Sequence, residues 1–169
     1  MSYDCDKELS GLIEQHQAAI YQICRVYFPY DHYQQTSLYN EIVYRIWRGM
    51  QSFRGESTSR TWVYRIAINT AINFYHADAC KRKFIPLNER LAETLPNEEE
   101  NQMLHELYAL IERLNALEKA VIYMYLDRAP QAEIAETLDL TVTNVSTIIG
   151  RIKVKLKKMK DEESRKQRP

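Results

Sequence analysis

The stretch "PQAEIAETLDLTVTNVSTIIGRIKVKLKKM", residues 130–159, decides the fold. Pro130 suits the first position of a helix, where the N–H it lacks would have no partner in any case. The short helix that follows turns Ile134 and Leu138 inward, and Ala135 is small enough for a close helix crossing. "DLT" is a tight turn. Asp139 can take the left-handed backbone usually given to glycine, and the Thr141 hydroxyl can cap the next helix. In that helix Val145, Ile149, Ile152 and Leu156 share one face, while Thr143, Asn144, Thr147 and Arg151 fall largely on the other. A short helix, a tight turn and a second helix with a polar outer face form a helix-turn-helix signature. The major groove of DNA admits one helix, and Thr, Asn and Arg side chains bond base edges there. Basic residues from Lys153 onward, Lys155 among them, would meet phosphates. An ordinary helical hairpin with a charged end has the same pattern, so the motif alone leaves both open.

The rest of the chain is helical too. Gly and Pro number only 4 and 5 in 169 residues, and strand-type alternation is nearly absent. Apolar residues spaced by three and four predict a first helix over about 7–27, ended by Pro29, a second over about 37–51 and a third over about 61–81. In the second helix Leu38, Ile42, Val43, Ile46, Trp47 and Met50 are expected inward. Ser37, Asn40, Glu41, Tyr44 and Arg48 share the opposite side, where Tyr44 marks a face fit for docking a protein. The periodicity fails over "KFIPLNERLAETLPNEEEN", which has two prolines and an acidic run and reads as a linker. Helices resume at Met103. The expected class is therefore all-α: two small helical domains, residues 7–82 and 102–160, a flexible linker at 83–101, and a charged tail at 161–169.

Composition removes several classes of function. No apolar run approaches the roughly 18 residues needed to span a membrane. The acidic start, "MSYDCDKELS", has no apolar core, so no secretory signal and a cytoplasmic location are expected. Cys5, Cys24 and Cys80 are far apart and form no C-x-x-C pair; Cys24 fits a small buried apolar residue. His16, His32, His76 and His105 are equally scattered. Neither a metal site, a cofactor nor a catalytic site is expected. The net charge is zero, but residues 151–169 hold nine basic side chains against three acidic ones. That is a local footprint for a polyanion, or a solvated tail.

A second unusual surface lies at "FRGESTSRTWVYRIAINTAINFYH", residues 53–76. On the third helix Val63, Ala67, Thr70 and Phe74 make a core band. Trp62, Arg65, Asn69 and Asn73 gather on another face, next to a loop of Gly, Glu, Ser and Thr. Arg54, Arg60 and Arg65 bring charge, Trp62 and Phe53 bring stacking faces, and Asn69 brings paired donor and acceptor groups. The combination suits single-stranded DNA with unstacked bases. Gly55, Ser57 and Ser59 would allow the close backbone approach that an extruded base needs. An ordinary core Trp and Phe with solvated arginines fits the same residues.

The run "SLYNEIVYRIWRGMQSFRGESTSRTWVYRIAINTAINF" resembles region two of the extracytoplasmic-function (ECF) sigma factors of bacterial RNA polymerase. "LNALEKAVIYMYLDRAPQAEIAETLDLTVTNVSTIIGRIKVKLK" looks like their region four. The two resemblances span about residues 9–158, in the family's order, and the "SFRGESTSRTWVYRIAIN" match is long and specific. The resemblance implies a promoter-specificity factor with no catalytic chemistry of its own. Asn40, Glu41, Tyr44 and Arg48 would dock on the clamp helices of the polymerase largest subunit. Phe53, Arg54, Ser57, Arg60, Trp62, Arg65, Asn69 and Asn73 would line the pocket for a base flipped from the −10 element. Thr143, Asn144, Ser146, Thr147, Gly150, Arg151 and Lys155 would meet the −35 duplex, and region four would also touch the polymerase flap. An anti-sigma factor is the further expected partner.

The chain departs from the family pattern at several points. Ser37 and Asn40 replace an acidic residue and a Gln in the second helix. Ser146-Thr147-Ile148 replaces the usual basic-Ser-Arg of the recognition helix, leaving Arg151 as the charged base reader. Leu114-Asn115 stands where Leu-Pro is usual. An unusual −35 preference, or weaker direct readout with more reliance on Lys153, Lys155 and Lys158, follows. Two rivals remain: a stand-alone helix-turn-helix regulator, which would bind duplex tightly without polymerase, and a small nucleic-acid enzyme, which would need clustered carboxylates or a metal site, whereas Glu98–Glu100 fall in the linker and the other acids are dispersed.

Overall fold

The computed structural model describes residues 2–82 and 102–166, with side chains over 7–81 and 103–166. The predicted linker, 83–101, therefore lies outside the described residues. Seven α-helices and no strand occur among the described residues: α1 (Ser2–Tyr27), α2 (His32–Met50), α3 (Ser59–Arg82), α4 (Gln102–Glu112), α5 (Ala116–Leu126), α6 (Gln131–Leu138) and α7 (Val142–Lys166). The chain divides into two units, Met1–Leu91 and Ala92–Pro169.

In the first unit α1, α2 and α3 pack against one another. Ile20, Ile23, Cys24, Leu38, Ile42, Ile46, Val63, Ala67, Ile68 and Ala71 fill the space between them. Burial pushes the Cys24 thiol up to about 12, so it serves as a small apolar residue. One end of the bundle is aromatic. Phe28 meets Phe74 and Tyr75 at 5.8 Å each, and Tyr27 meets Tyr75 at 5.7 Å. The Gln34 amide donates to Asp78 Oδ1 at 2.7 Å and the Gln35 amide to the Phe28 carbonyl at 2.6 Å, fastening the start of α2 to its neighbours.

Helix α2 begins at His32, five residues before the expected start at 37. Asp31 is its cap: the carboxylate accepts from Gln34 N–H at 2.9 Å. The first turn is largely exposed, with Tyr33 75% accessible, so it carries no apolar period to announce itself. Helix α3 begins at Ser59 rather than 61, because Thr58 Oγ1 accepts from Thr61 N–H at 3.2 Å. Trp47 corrects the expected inward face of α2. It is 46% exposed, whereas Leu38, Ile42 and Ile46 are fully buried. Trp47 lies 100° around the helix from Ile46, beyond the edge that α1 and α3 cover.

The second unit joins α5, α6 and the first half of α7 around Ile122, Met124, Ile134, Val145, Ile149 and Ile152, with α4 against α7. Asn115 caps α5 in a full capping box with Glu118. The residue that departs from the Leu-Pro pattern thus performs the cap itself. Pro130 is the N-cap of α6, one place before its expected position. Asp139 has φ 55° and ψ 46°, the left-handed conformation expected of it. Leu140 N–H donates to the Ala135 carbonyl and Asn144 N–H to Thr141 Oγ1, which completes the turn. Residues 161–166 continue α7.

Candidate nucleic-acid interfaces

The first candidate surface is built where α2 ends and α3 begins. Ser52 N–H and Oγ both donate to the Gly49 carbonyl, closing α2. Gly55 has φ +70°, with nothing near its Cβ direction. Backbone conformation and not crowding asks for glycine there. The loop then delivers Phe53 beside Trp62, ring centres 4.8 Å apart and planes at 43°. Trp62 is half-buried, and its indole lies across Gly49. A Cβ at residue 49 would meet Trp62 Cζ2 at 3.0 Å and Ile66 Cδ1 at 3.5 Å. The ring pair is therefore asymmetric: Trp62 is a seated wedge, and Phe53, 37% exposed, carries the outward face.

Arg65, Asn69 and Asn73 follow along α3, all exposed, while Ile66 is half-buried between them and the core. The Asn69 and Asn73 side chains make no hydrogen bond to the described residues, so their amides are available. Arg54 is exposed on the loop and Ser57 is half-buried. Arg60 lies apart from that stripe in its contacts. Its guanidinium is 5.0 Å from the centre of the Tyr64 ring. Burial, and after it the Arg60 charge, holds His16 on α1 below the ordinary imidazole range. The structure thus gathers Phe53, Trp62, Arg65, Asn69 and Asn73 at one edge and ties Arg60 back toward the bundle.

The outer side of α2 is a second surface. Asn40, Tyr44 and Arg48 are exposed, and Glu41 is half-exposed and bound to Arg45 at 2.7 Å. Tyr44 lies 6.0 Å from Trp47 and 5.8 Å from the Arg48 guanidinium. Two rings and a guanidinium on one exposed face have the make-up of a protein-binding anchor. Sequence reasoning missed Trp47 by placing it in the core.

On α7, Thr143, Asn144, Ser146, Thr147 and Arg151 are all exposed, opposite the buried Val145, Ile149 and Ile152. The Thr147 hydroxyl donates to the Thr143 carbonyl at 2.9 Å and keeps its lone pairs outward. Nothing lies within 4 Å of a Cβ at Gly150, so that side of the helix is open. Lys155 behaves differently. It is half-buried, with its ammonium 2.8 Å from Glu118 Oε2. No sequence signal gave that contact, which joins residues 37 apart.

No group of three or more His, Cys, Asp or Glu able to hold a metal ion occurs among the described residues. No helix among them is long and apolar enough to cross a membrane.

Comparison with known proteins agrees with both halves. A family model for sigma-70 region 2 matches residues 12–79, and one for sigma-70 region 4 matches residues 104–156. The RNA polymerase sigma factor YlaC of Bacillus subtilis is 29% identical over 147 residues, covering 81% of this chain and 84% of that protein. The ECF RNA polymerase sigma-E factor of Escherichia coli K12 is 32% identical over 125 residues, covering 66% of this chain and 65% of that protein. Among solved structures, CnrH in complex with the cytosolic domain of CnrY has TM-score 0.69 at 20% identity, covering 93% of this chain and 90% of that one. Sigma factor RpoE of Bartonella quintana, in complex with the anti-sigma factor NepR, has TM-score 0.67 at 15% identity, covering 94% and 97%. A region 2 bundle followed by a region 4 helix-turn-helix defines a sigma-70-type transcription initiation factor. The chain belongs to that family and is of the ECF type.

Proposed function

We propose that this chain binds core RNA polymerase and directs promoter-specific initiation, its first unit opening the −10 element and its second reading the −35 element. What carries this is one chain holding both surfaces: the Arg65–Asn69–Asn73 stripe beside the Phe53–Trp62 pair, and the polar outer face of α7. The two suit different states of DNA. Rings and free amides suit unpaired bases, where stacking contributes about 1–3 kcal/mol per base. A helix with exposed Thr, Asn and Arg suits a closed major groove. Melting follows from differential binding. Pocket contacts form only with an extruded base, and they offset the few kcal/mol that unstacking costs.

The α2 face, with Asn40, Glu41, Tyr44 and Arg48, docks on the clamp helices of the polymerase largest subunit, and the second unit also touches the flap. Residues 7–82 and 102–160 are the working regions, and 83–101 links them. The chemistry is binding, with no catalytic residue and no cofactor. The protein works in the cytoplasm, with its polymerase. By analogy with RpoE, an anti-sigma protein is its regulator.

Run-off transcription with purified core polymerase on genomic template, followed by start-site mapping, tests this. Initiation at defined start sites is expected only when both proteins are present. Random initiation, unchanged by adding the chain, overturns it. A gel shift on duplex promoter separates a stand-alone regulator, which would bind tightly without core enzyme.

A further inference from the structure

Two lysines leave opposite flanks of α7 and end on opposite ends of α5. Lys155 Nζ donates to Glu118 Oε2 at 2.8 Å in the first turn of α5. Lys153 Nζ donates to the Tyr125 hydroxyl at 2.9 Å in its last turn. Glu118 is itself fixed. The same Oε2 accepts from Asn115 N–H at 3.0 Å, and Glu118 N–H donates to Asn115 Oδ1 at 2.9 Å. The carboxylate that caps α5 is thus the one that holds Lys155. Its side chain is 18% exposed, against 39% for Lys155. Burial is the largest single influence on the Glu118 carboxyl and pushes it up, but the Lys155 hydrogen bond and charge and the Asn115 N–H together outweigh it and hold the group below its usual range.

At 100° per residue, Thr147, Arg151 and Lys158 fall within about 40° of one another on the outer side of α7. Lys155 and Lys153 stand off that stripe, one on each side. Lys158 is exposed and makes no side-chain bond to the described residues. Lys155 is held at Glu118, so a phosphate that drew its ammonium outward would have to compete with that carboxylate. Its departure would break a charge-assisted bond and uncover a carboxylate beside the DNA, where it repels the backbone. In place, the pair presents no net charge.

We infer that Lys155, through Glu118, is a positioning residue that sets how α7 presents its outer stripe to the duplex, and that Lys158 meets the phosphate backbone instead. This rests on α7 being the duplex-reading helix. It takes Lys155 out of the phosphate-contacting set and makes Glu118, far away in sequence, part of −35 recognition.

The test measures holoenzyme binding, full chain plus core polymerase, to promoter duplex with an intact or scrambled −35 element across a range of salt. Lys158→Ala should reduce the slope of log K against log salt by about 0.9, the value for one lost phosphate contact. Lys155→Met should leave the slope unchanged. It should instead lower the intact-to-scrambled affinity ratio about two- to fivefold, the scale of one half-exposed ion pair. Glu118→Gln, which preserves the capping box, should lower the ratio equally, and the double variant no further. Lys155→Arg should restore it. Melting curves matched to wild type exclude misfolding. The inference is overturned if Lys155→Met flattens the slope as Lys158→Ala does, if the ratio stays unchanged, or if the two losses add. A wild-type holoenzyme indifferent to the −35 element overturns the proposed function itself, and this inference with it.

Discussion

Gly49→Val tests the seat of the Trp62 indole. Gly49 lies in α2 with an ordinary helical backbone, so conformation does not require glycine there. On helix propensity alone, valine should gain about 0.3–0.5 kcal/mol. Packing opposes that. The first added carbon would stand 3.0 Å from Trp62 Cζ2, closer than ordinary van der Waals contact, and the two branches of valine add more bulk toward Ile66. Overpacking of this kind costs about 1–3 kcal/mol. The net loss is then about 0.5–2.7 kcal/mol, or roughly 2–20 °C in Tm for a domain of this size. The chain has 2 tryptophans, both in the first unit. A Trp47→Phe background isolates Trp62 emission. The expected result is a lower midpoint followed by that emission, together with a red-shifted native spectrum as the ring lifts and Phe53 loses its partner. Opening of the −10 element should fall in parallel. A valine variant as stable as its parent, with unchanged emission, would refute the idea that the indole rests on residue 49.

Asn69→Ala should reduce transcription from the cognate promoter yet spare core binding, because the amide is exposed and outside the packed face; equal loss of core binding in a pull-down would make it structural. Arg151→Ala should weaken −35 recognition by about 1–3 kcal/mol, the worth of one good base contact, read as a flattened −35 mutation profile. Glu41→Arg breaks the pair with Arg45 and puts two cations together on the outer side of α2. Co-purification with core polymerase should fall, and undiminished co-purification would move the docking face elsewhere. At pH 8 the Cys24 thiol, held up near 12 by burial, should resist alkylation in the native chain, whereas exposed Cys80 should react. Mass spectrometry reads both, and early labelling of Cys24 would mean an open bundle.

Local chemistry was the legible part. Asp139, Thr141 and the apolar stripe of Val145, Ile149 and Ile152 could be placed from spacing alone, since a tight turn and a cap involve neighbours in the chain. The start of α2 was harder. Its first turn is held by the Asp31 carboxylate and not by burial, so apolar periodicity has nothing to register. Trp47 was misplaced for a related reason: a helical wheel shows which residues are apolar neighbours, but only the positions of α1 and α3 show how wide a strip they cover. The Gly49 seat and the Glu118–Lys155 contact were out of reach, because each depends on how two helices cross. At the candidate −10 surface, helical spacing put Trp62, Arg65, Asn69 and Asn73 on one face of α3. It could not tell that the indole is seated while Phe53 faces outward.

The inverted backbone at Asp139 limits what evolution can write at that codon. With φ at 55°, asparagine and glycine are one base change away and sterically welcome, whereas valine, also one base change away, is not. Natural variation at residue 139 should therefore drift within a set of about three amino acids, while the neighbouring Thr143 and Ser146, exposed and in ordinary helix, carry no such torsional demand.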